Sequence, residues 1–204
     1  MGSLFCLMGK SSTGKDTLFS RLIADRALGL RPVVPYTTRP RRSHETDGVT
    51  YHFITPERLA EHEAAGRVIE RRTYRTVQGD WHYCTLDDGQ IDLDTASYLM
   101  ITAPGAFEAI RARFGEERVV PLYIWADDEA RLLRAIGRER KQPKPDYDEL
   151  CRRFLADNRD FSEETLARLG VKKRYRNDSL KDCAAALKTD ILARMRAGQN
   201  AHNT

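Results

Sequence analysis

The run Gly9-Lys10-Ser11-Ser12-Thr13-Gly14-Lys15-Asp16-Thr17 constrains this chain more than any other feature. It has the pattern G-x-x-x-x-G-K. It lies between an apolar run, Leu4 to Met8, and a stretch with Leu18, Leu22 and Ile23 at helical spacing. A strand that turns through glycines into a helix presents successive backbone amides, and the positive end of the helix, to an anion. Gly9 and Gly14 supply the backbone freedom, and Lys15 brings a point charge to the β- and γ-phosphates. The segment from Gly9 to Thr17 is therefore expected to hold the phosphates of ATP. A Ser or Thr that ligates Mg²⁺ usually follows the lysine. Here Asp16 stands there, with Thr17 after it, and these two are the expected metal ligands. A hydrolase, a transport motor and a small-molecule kinase share such a loop, so the rest of the chain must choose.

Strand and helix signals alternate, the pattern of an α/β domain with a mostly parallel sheet. Tyr98 to Ile101 and Val119 to Trp125 are continuous apolar runs, as strands buried on both faces are. Pro104 to Phe114 predicts a helix closed by Gly115, and Asp127 is a fitting N-cap for the next one. Leu180, Ala184, Leu187, Ile191 and Met195 recur at helical spacing, so Ser179 to Met195 predicts a packing helix with a frayed tail over 197–204.

Residues 35–88 have a different texture, dense in Pro, Arg, Thr and Gly. Thr55-Pro56-Glu57 opens a helix that Gly66 stops, and Val68-Ile69-Glu70 is a short strand. This stretch predicts an insert that presents side chains to a ligand. Farther on, two arginine-rich helices joined by Gln142-Pro143-Lys144-Pro145 predict a mobile lid over 134–159. The core of a single domain is then 1–34, 89–133 and 160–196.

Composition narrows the classes. A chain of 204 residues, 41% hydrophobic, suits one domain. The net charge of +4 is small, and Asp146, Asp148, Glu149 and Asp157 interrupt the basic lid, so no nucleic-acid partner is expected. No apolar run approaches the roughly 20 residues of a membrane span. The opening segment lacks a basic start and runs directly into the glycine loop, so it predicts a buried strand rather than an export signal. A cytoplasmic protein with reduced thiols is expected. Cys6, Cys84, Cys151 and Cys183 are scattered, as packing residues rather than metal ligands are.

The insert carries a longer pattern. Thr37, Thr38, Arg39, Arg42, Glu45, Gly48, Tyr51 and Phe53 match every fixed position of T-T-R-x-x-R-x-x-E-x-x-G-x-x-Y-x-F, and the chain resembles the guanylate kinase family there. Arg39 and Arg42 offer planar forks for a phosphate, and Tyr51 a hydroxyl donor. Glu70 matches the family's acidic residue, whose carboxylate accepts from guanine N1–H and the 2-amino group. Gly79 to Thr85 resembles G-N-Y-Y-G-[ST] with one residue extra, aligning Tyr83 with the acceptor phosphate and Thr85 with guanine O6. Arg134 and Arg138 resemble the lid's R-L-x-x-R, Arg153 the arginine of its second helix, and Asn177-Asp178 the pair near the adenine of ATP.

The resemblance, over about residues 4–192, implies a three-layer P-loop fold with an inserted nucleotide-binding region and a helical lid. It implies phosphorylation of GMP, and of dGMP, by ATP with Mg²⁺, in a monomer or homodimer. Lys15, Arg39, Arg134, Arg138 and Arg153 would be catalytic; Arg39, Arg42, Glu45, Tyr51, Glu70, Tyr83 and Thr85 would hold the acceptor. Arg131, Arg140, Arg152 and Arg159 are expected on solvated helix faces. Two positions depart from the family: Pro35 replaces a serine and Thr102 an aspartate that touch guanine. A kinase with another nucleotide or small phosphorylated acceptor, or a binding domain without catalysis, are the alternatives. The intact Gly9, Gly14 and Lys15 weigh against the last.

Overall fold

Strand β1 (Leu4–Met8) is buried at all five positions. It sits at the centre of a five-stranded parallel sheet ordered β2-β7-β1-β8-β9. The computed structural model describes residues 2–42, 45–76 and 79–200. Ser43 and His44 of the insert motif lie outside the described residues.

Alternation along β1 divides the core. Leu4, Cys6 and Met8 face one side, with Tyr98, Phe107, Ile110, Leu166 and Leu169. Phe5 and Leu7 face the other, with Leu18, Leu22, Leu187 and Ile191. Side chains on a strand alternate between faces, so a strand buried on both must be apolar throughout. Helices α3 (Pro104–Phe114) and α6 (Glu163–Arg168) contribute to the first side. Helices α1 (Lys15–Ala24) and α7 (Leu180–Asn200) contribute to the second. The result is the expected three-layer α/β P-loop architecture. The last helix extends past 196 to Asn200, beyond the point where fraying was expected. Residues 201–204 of that tail lie outside the described residues.

The remaining sheet strands are β2 (Arg31–Pro32), β7 (Tyr98–Ile101), β8 (Val119–Trp125) and β9 (Arg174–Arg176). The glycine loop leaves β1 at the carboxyl ends of the parallel strands, where ligands of open α/β sheets bind.

A second sheet has the order β4-β3-β6-β5 and comprises β3 (Tyr36–Thr37), β4 (His52–Phe53), β5 (Val68–Thr76) and β6 (Gly79–Leu86). Helix α2 (Pro56–Ala64) caps it, with Leu59 packed on Cys84 and Leu86. The Thr55 hydroxyl accepts from the Arg58 amide at 3.2 Å, so the predicted helix start is real. Strand β5 runs far beyond the short strand expected at Val68 to Glu70.

Helices α4 (Asp128–Glu139) and α5 (Tyr147–Asp160) lie side by side over the glycine loop. Asp127 holds the N-cap position, but its carboxylate accepts from Arg176 at 2.6 Å rather than capping α4. Cys6, Cys84 and Cys183 are buried, and burial pushes the Cys6 thiol far up, the Cys84 thiol up to about 12 and the Cys183 thiol up to about 11. Cys151, on α5, is exposed and so is not the packing residue expected. Among the described residues no helix is long and apolar enough to cross a membrane.

Candidate active site

The expected donor side is the glycine loop. Gly14 has φ +87, and a Cβ there would lie 2.5 Å from Nδ2 of Asn177, so glycine is required both by conformation and by space. Asn177 is buried and donates Nδ2–H to the Thr13 carbonyl at 2.7 Å. Its side chain thus holds the loop. Thr13 closes the turn by donating to the Lys10 carbonyl through its amide (3.3 Å) and its hydroxyl (2.9 Å). Ser12 takes φ +63, an unusual value for a residue with a side chain. Lys15 opens α1, half-buried, with no ion pair among the described residues.

The expected acceptor side is the second sheet. Arg39 is buried; its Nη1 and Nη2 grip the two oxygens of Glu45, the Nη1 bond being 2.7 Å. Its Nε donates to the Tyr83 hydroxyl at 3.1 Å, and Nη1 also donates to the Pro40 carbonyl at 2.9 Å. Tyr51 and Phe53 stack beneath the guanidinium at 5.2 and 5.5 Å. Of its five N–H donors, one on Nη2 is left. Glu45 is therefore turned onto Arg39 and onto the Arg42 amide (2.9 Å), where it orients the fork rather than facing a ligand. The Arg39 guanidinium holds its carboxyl down at about 2. The Arg42 guanidinium is exposed and unpaired among the described residues.

Glu70 and Thr85 come together as cross-strand neighbours on β5 and β6. The Thr85 hydroxyl donates to Oε1 of Glu70 at 2.9 Å, and Arg72 donates Nε–H to Oε2 at 3.2 Å. Burial raises the Tyr51 phenol above its ordinary value, and among the charges acting on it are those of Arg39, Arg72 and Asp16.

The lid completes the cleft. Arg134 donates Nη2–H to the Asn177 carbonyl at 2.9 Å. Arg138 and Arg153 line, with Ser11 and Ser12, a cavity of about 120 Å³ between lid and loop. Arg153 donates Nε–H to Glu149 at 2.7 Å. Arg131, expected on a solvated face, is instead 1% exposed. It pairs with Asp128 at 2.5 Å and Asp157 at 3.2 Å, and its guanidinium lies 4.8 Å from the Phe154 ring. Asp128 is on its own helix, but Asp157 and Phe154 come from α5, so its own charge misled. Arg140, Arg152 and Arg159 are exposed as expected.

A family model described as guanylate kinase matches residues 1–82. A guanylate kinase of Neisseria gonorrhoeae is 36% identical over 123 residues, which is 60% of this chain and 58% of that protein. One of Bifidobacterium longum is 28% identical over 175 residues, 84% of this chain and 79% of its own. The crystal structure of guanylate kinase from Anaplasma phagocytophilum superposes with a TM-score of 0.64 at 18% identity, over 94% of this chain and 85% of that one.

The chain is similar to guanylate kinases in sequence and shares their fold.

It spans little more than half, 58%, of the Neisseria relative it matches. Its two departures from the family's pattern occupy different settings. The Pro35 carbonyl accepts from the His52 amide at 2.9 Å, while Thr102, buried at the end of β7, turns its hydroxyl to the Ala103 carbonyl at 3.3 Å. Neither side chain brings a carboxylate to the cleft.

The donor set for a metal is small. Asp16 and Thr17 are exposed on the first turn of α1, and no cluster of three ligating side chains occurs among the described residues. One carboxylate and one hydroxyl suit Mg²⁺, which keeps its waters and takes other oxygens from substrate phosphates. They do not make a zinc cage.

Three participants escaped the linear pattern: Arg131, Asp157 and Arg72. Arg131 and Asp157 meet across two helices, and Arg72 meets Glu70 two residues back on its own strand. The i, i+4 stripe of Arg131 and Ala135, both buried, is the one signal that marks the inward face of α4.

Proposed function

We propose that the chain transfers the γ-phosphoryl group of ATP to GMP, and to dGMP, giving ADP and the nucleoside diphosphate. The observation that carries this is the pairing, in one chain, of a glycine loop held by Asn177 with an Arg39 fork set by Glu45 and Tyr83. Phosphoryl transfer needs in-line placement and neutralised charge more than covalent chemistry.

The loop amides and Lys15 hold the donor. Asp16 and Thr17 would hold Mg²⁺, which would supply neutralising charge for the phosphates. Arg39, Arg42, Tyr51 and Tyr83 hold the acceptor phosphate, with Glu45 fixing the plane of Arg39. The Glu70 carboxylate accepts from guanine N1–H and the 2-amino group, a pair adenine does not offer, and Thr85 stands beside it. Arg134, Arg138 and Arg153 stabilise the transferring group, and the lid excludes water.

The test is ADP formation with GMP, dGMP, AMP, CMP, UMP and a sugar phosphate as acceptors. Turnover with GMP or dGMP is expected. Turnover with another acceptor and none with these two rejects the substrate assignment. Failure to bind ATP in calorimetry rejects the kinase in favour of a binding domain. Arg39→Ala should raise the acceptor KM by about tenfold or more, as loss of a charge-assisted contact does.

A further inference from the structure

Both backbone groups of Ser11 are taken by the lid. Its N–H donates to Oδ2 of Asp157 on α5 at 2.6 Å. Its carbonyl accepts from Nε of Arg131 on α4 at 3.0 Å. The same Asp157 oxygen lies 3.2 Å from Nη2 of Arg131, so the two side chains orient one another. Lys10 adds a bond from Nζ to Oδ1 of Asn158 at 2.7 Å.

The next residue is Ser12, at φ +63, the one described residue other than glycine with positive φ. An L residue leaves that region most directly by rotation of the peptide plane before it, which changes ψ of Ser11 and φ of Ser12 together. The carbonyl of that peptide is the one Arg131 holds. The Ser12 hydroxyl is buried with no hydrogen-bond partner among the described residues, so Ser12 does not stabilise its own conformation. The restraint must come from outside the loop.

We propose that Arg131 is a positioning residue that locks the Ser11–Ser12 peptide, with Asp157 aligning it, so that docking of the lid helices shapes the donor loop. This rests on the loop being the donor-phosphate site. Residues held in sparsely populated backbone regions persist where their surroundings over-determine them, and they cluster at ligand clamps. The two helices that supply the lock also carry Arg138 and Arg153, so one motion delivers the phosphate-facing arginines and sets the loop. A buried ion pair is by itself weak evidence of stabilisation, since apolar replacements of similar volume are often tolerated. Removing one end of such a pair leaves the other uncompensated, so thermal melts of each variant accompany the cycle.

The test is a double-mutant cycle between Arg131→Met and Ser12→Gly, since glycine adopts φ +63 without strain. Two readouts are taken: exchange of the Thr13 amide, whose bond to Lys10 closes the turn, and calorimetric binding of a non-hydrolysable ATP analogue with Mg²⁺. With Ser12 present, Arg131→Met should speed exchange and weaken the analogue, each on the order of tenfold; in the S12G background each effect should fall below about threefold. Equal effects in both backgrounds, or none in either, overturn the proposal. Arg131→Lys, which keeps the charge and loses the fork, supplies the same cycle if the methionine variant fails to fold. If the unmodified chain binds no analogue, the donor-site reading falls, while the exchange cycle still decides the lock.

Discussion

Arg72 donates its Nε–H to Oε2 of Glu70 at 3.2 Å, and so occupies one of the two oxygens that would read a guanine edge. Guanine must displace that bond or share it. Arg72→Ala should then lower the KM for GMP several-fold, and Glu70→Gln should raise it by about 10- to 100-fold, the cost of a charge-assisted pair. Steady-state kinetics with GMP and AMP decide both. A Glu70→Gln enzyme with unchanged preference for GMP would remove Glu70 from base recognition.

Arg39 holds the carboxyl of Glu45 at about 2, below the ~4.3 of a free glutamate. The folded value is depressed, so the pair stabilises the protein above the unfolded value, and that contribution disappears as pH falls from about 4 through about 2. Glu45→Gln should therefore lower the melting temperature near neutral pH. The gap to the unsubstituted protein should close at about pH 2 to 3. Thermal melts across that range test it, and a gap independent of pH would count against the pair.

Gly14→Ala meets two obstacles, φ +87 and Nδ2 of Asn177 at 2.5 Å from the new Cβ. The backbone alone costs about 1–3 kcal/mol. The melting temperature should fall by roughly 5 °C or more, at about 2–4 °C per kcal/mol for a chain of this size. ATP binding should be lost with it. An alanine variant that binds ATP normally would show that the loop can relax without Asn177.

Asp16→Ala should raise the Mg²⁺ concentration needed for half-maximal ATP-dependent turnover by about tenfold, since a carboxylate is the stronger of the two protein donors. Thr17→Ala should shift it less. A titration of Mg²⁺ at fixed ATP separates them, and an unchanged requirement in Asp16→Ala would move the metal to other ligands.

Much of the fold was legible because buried parallel strands must be apolar on both faces, as Leu4 to Met8 is. The loop was legible because glycine and lysine are demanded at fixed spacing. Strand β5 was legible only to Glu70. Beyond it Arg71, Arg72, Tyr74 and Arg75 are partly or largely exposed, so no apolar alternation marks the strand. It is held by its ladder with β6 instead. Arg131 was illegible for a related reason. Its burial is made tolerable by Asp157 on another helix and by the Phe154 ring, and no local pattern records such partners. Glu45 was legible as a member of the site, but its work on Arg39 is visible only in the bidentate geometry.

The exposure of Cys151 gives the lid an optical handle. It lies on α5, one turn before Phe154, while burial shields the thiols of Cys6, Cys84 and Cys183 and pushes them up, two of them to about 12 and about 11. Near neutral pH a maleimide dye should attach at Cys151 far faster than at the other three, because attack needs an accessible thiolate. The unmutated protein can then report the lid's movement by fluorescence as nucleotide is added, with no cysteine engineered in or out.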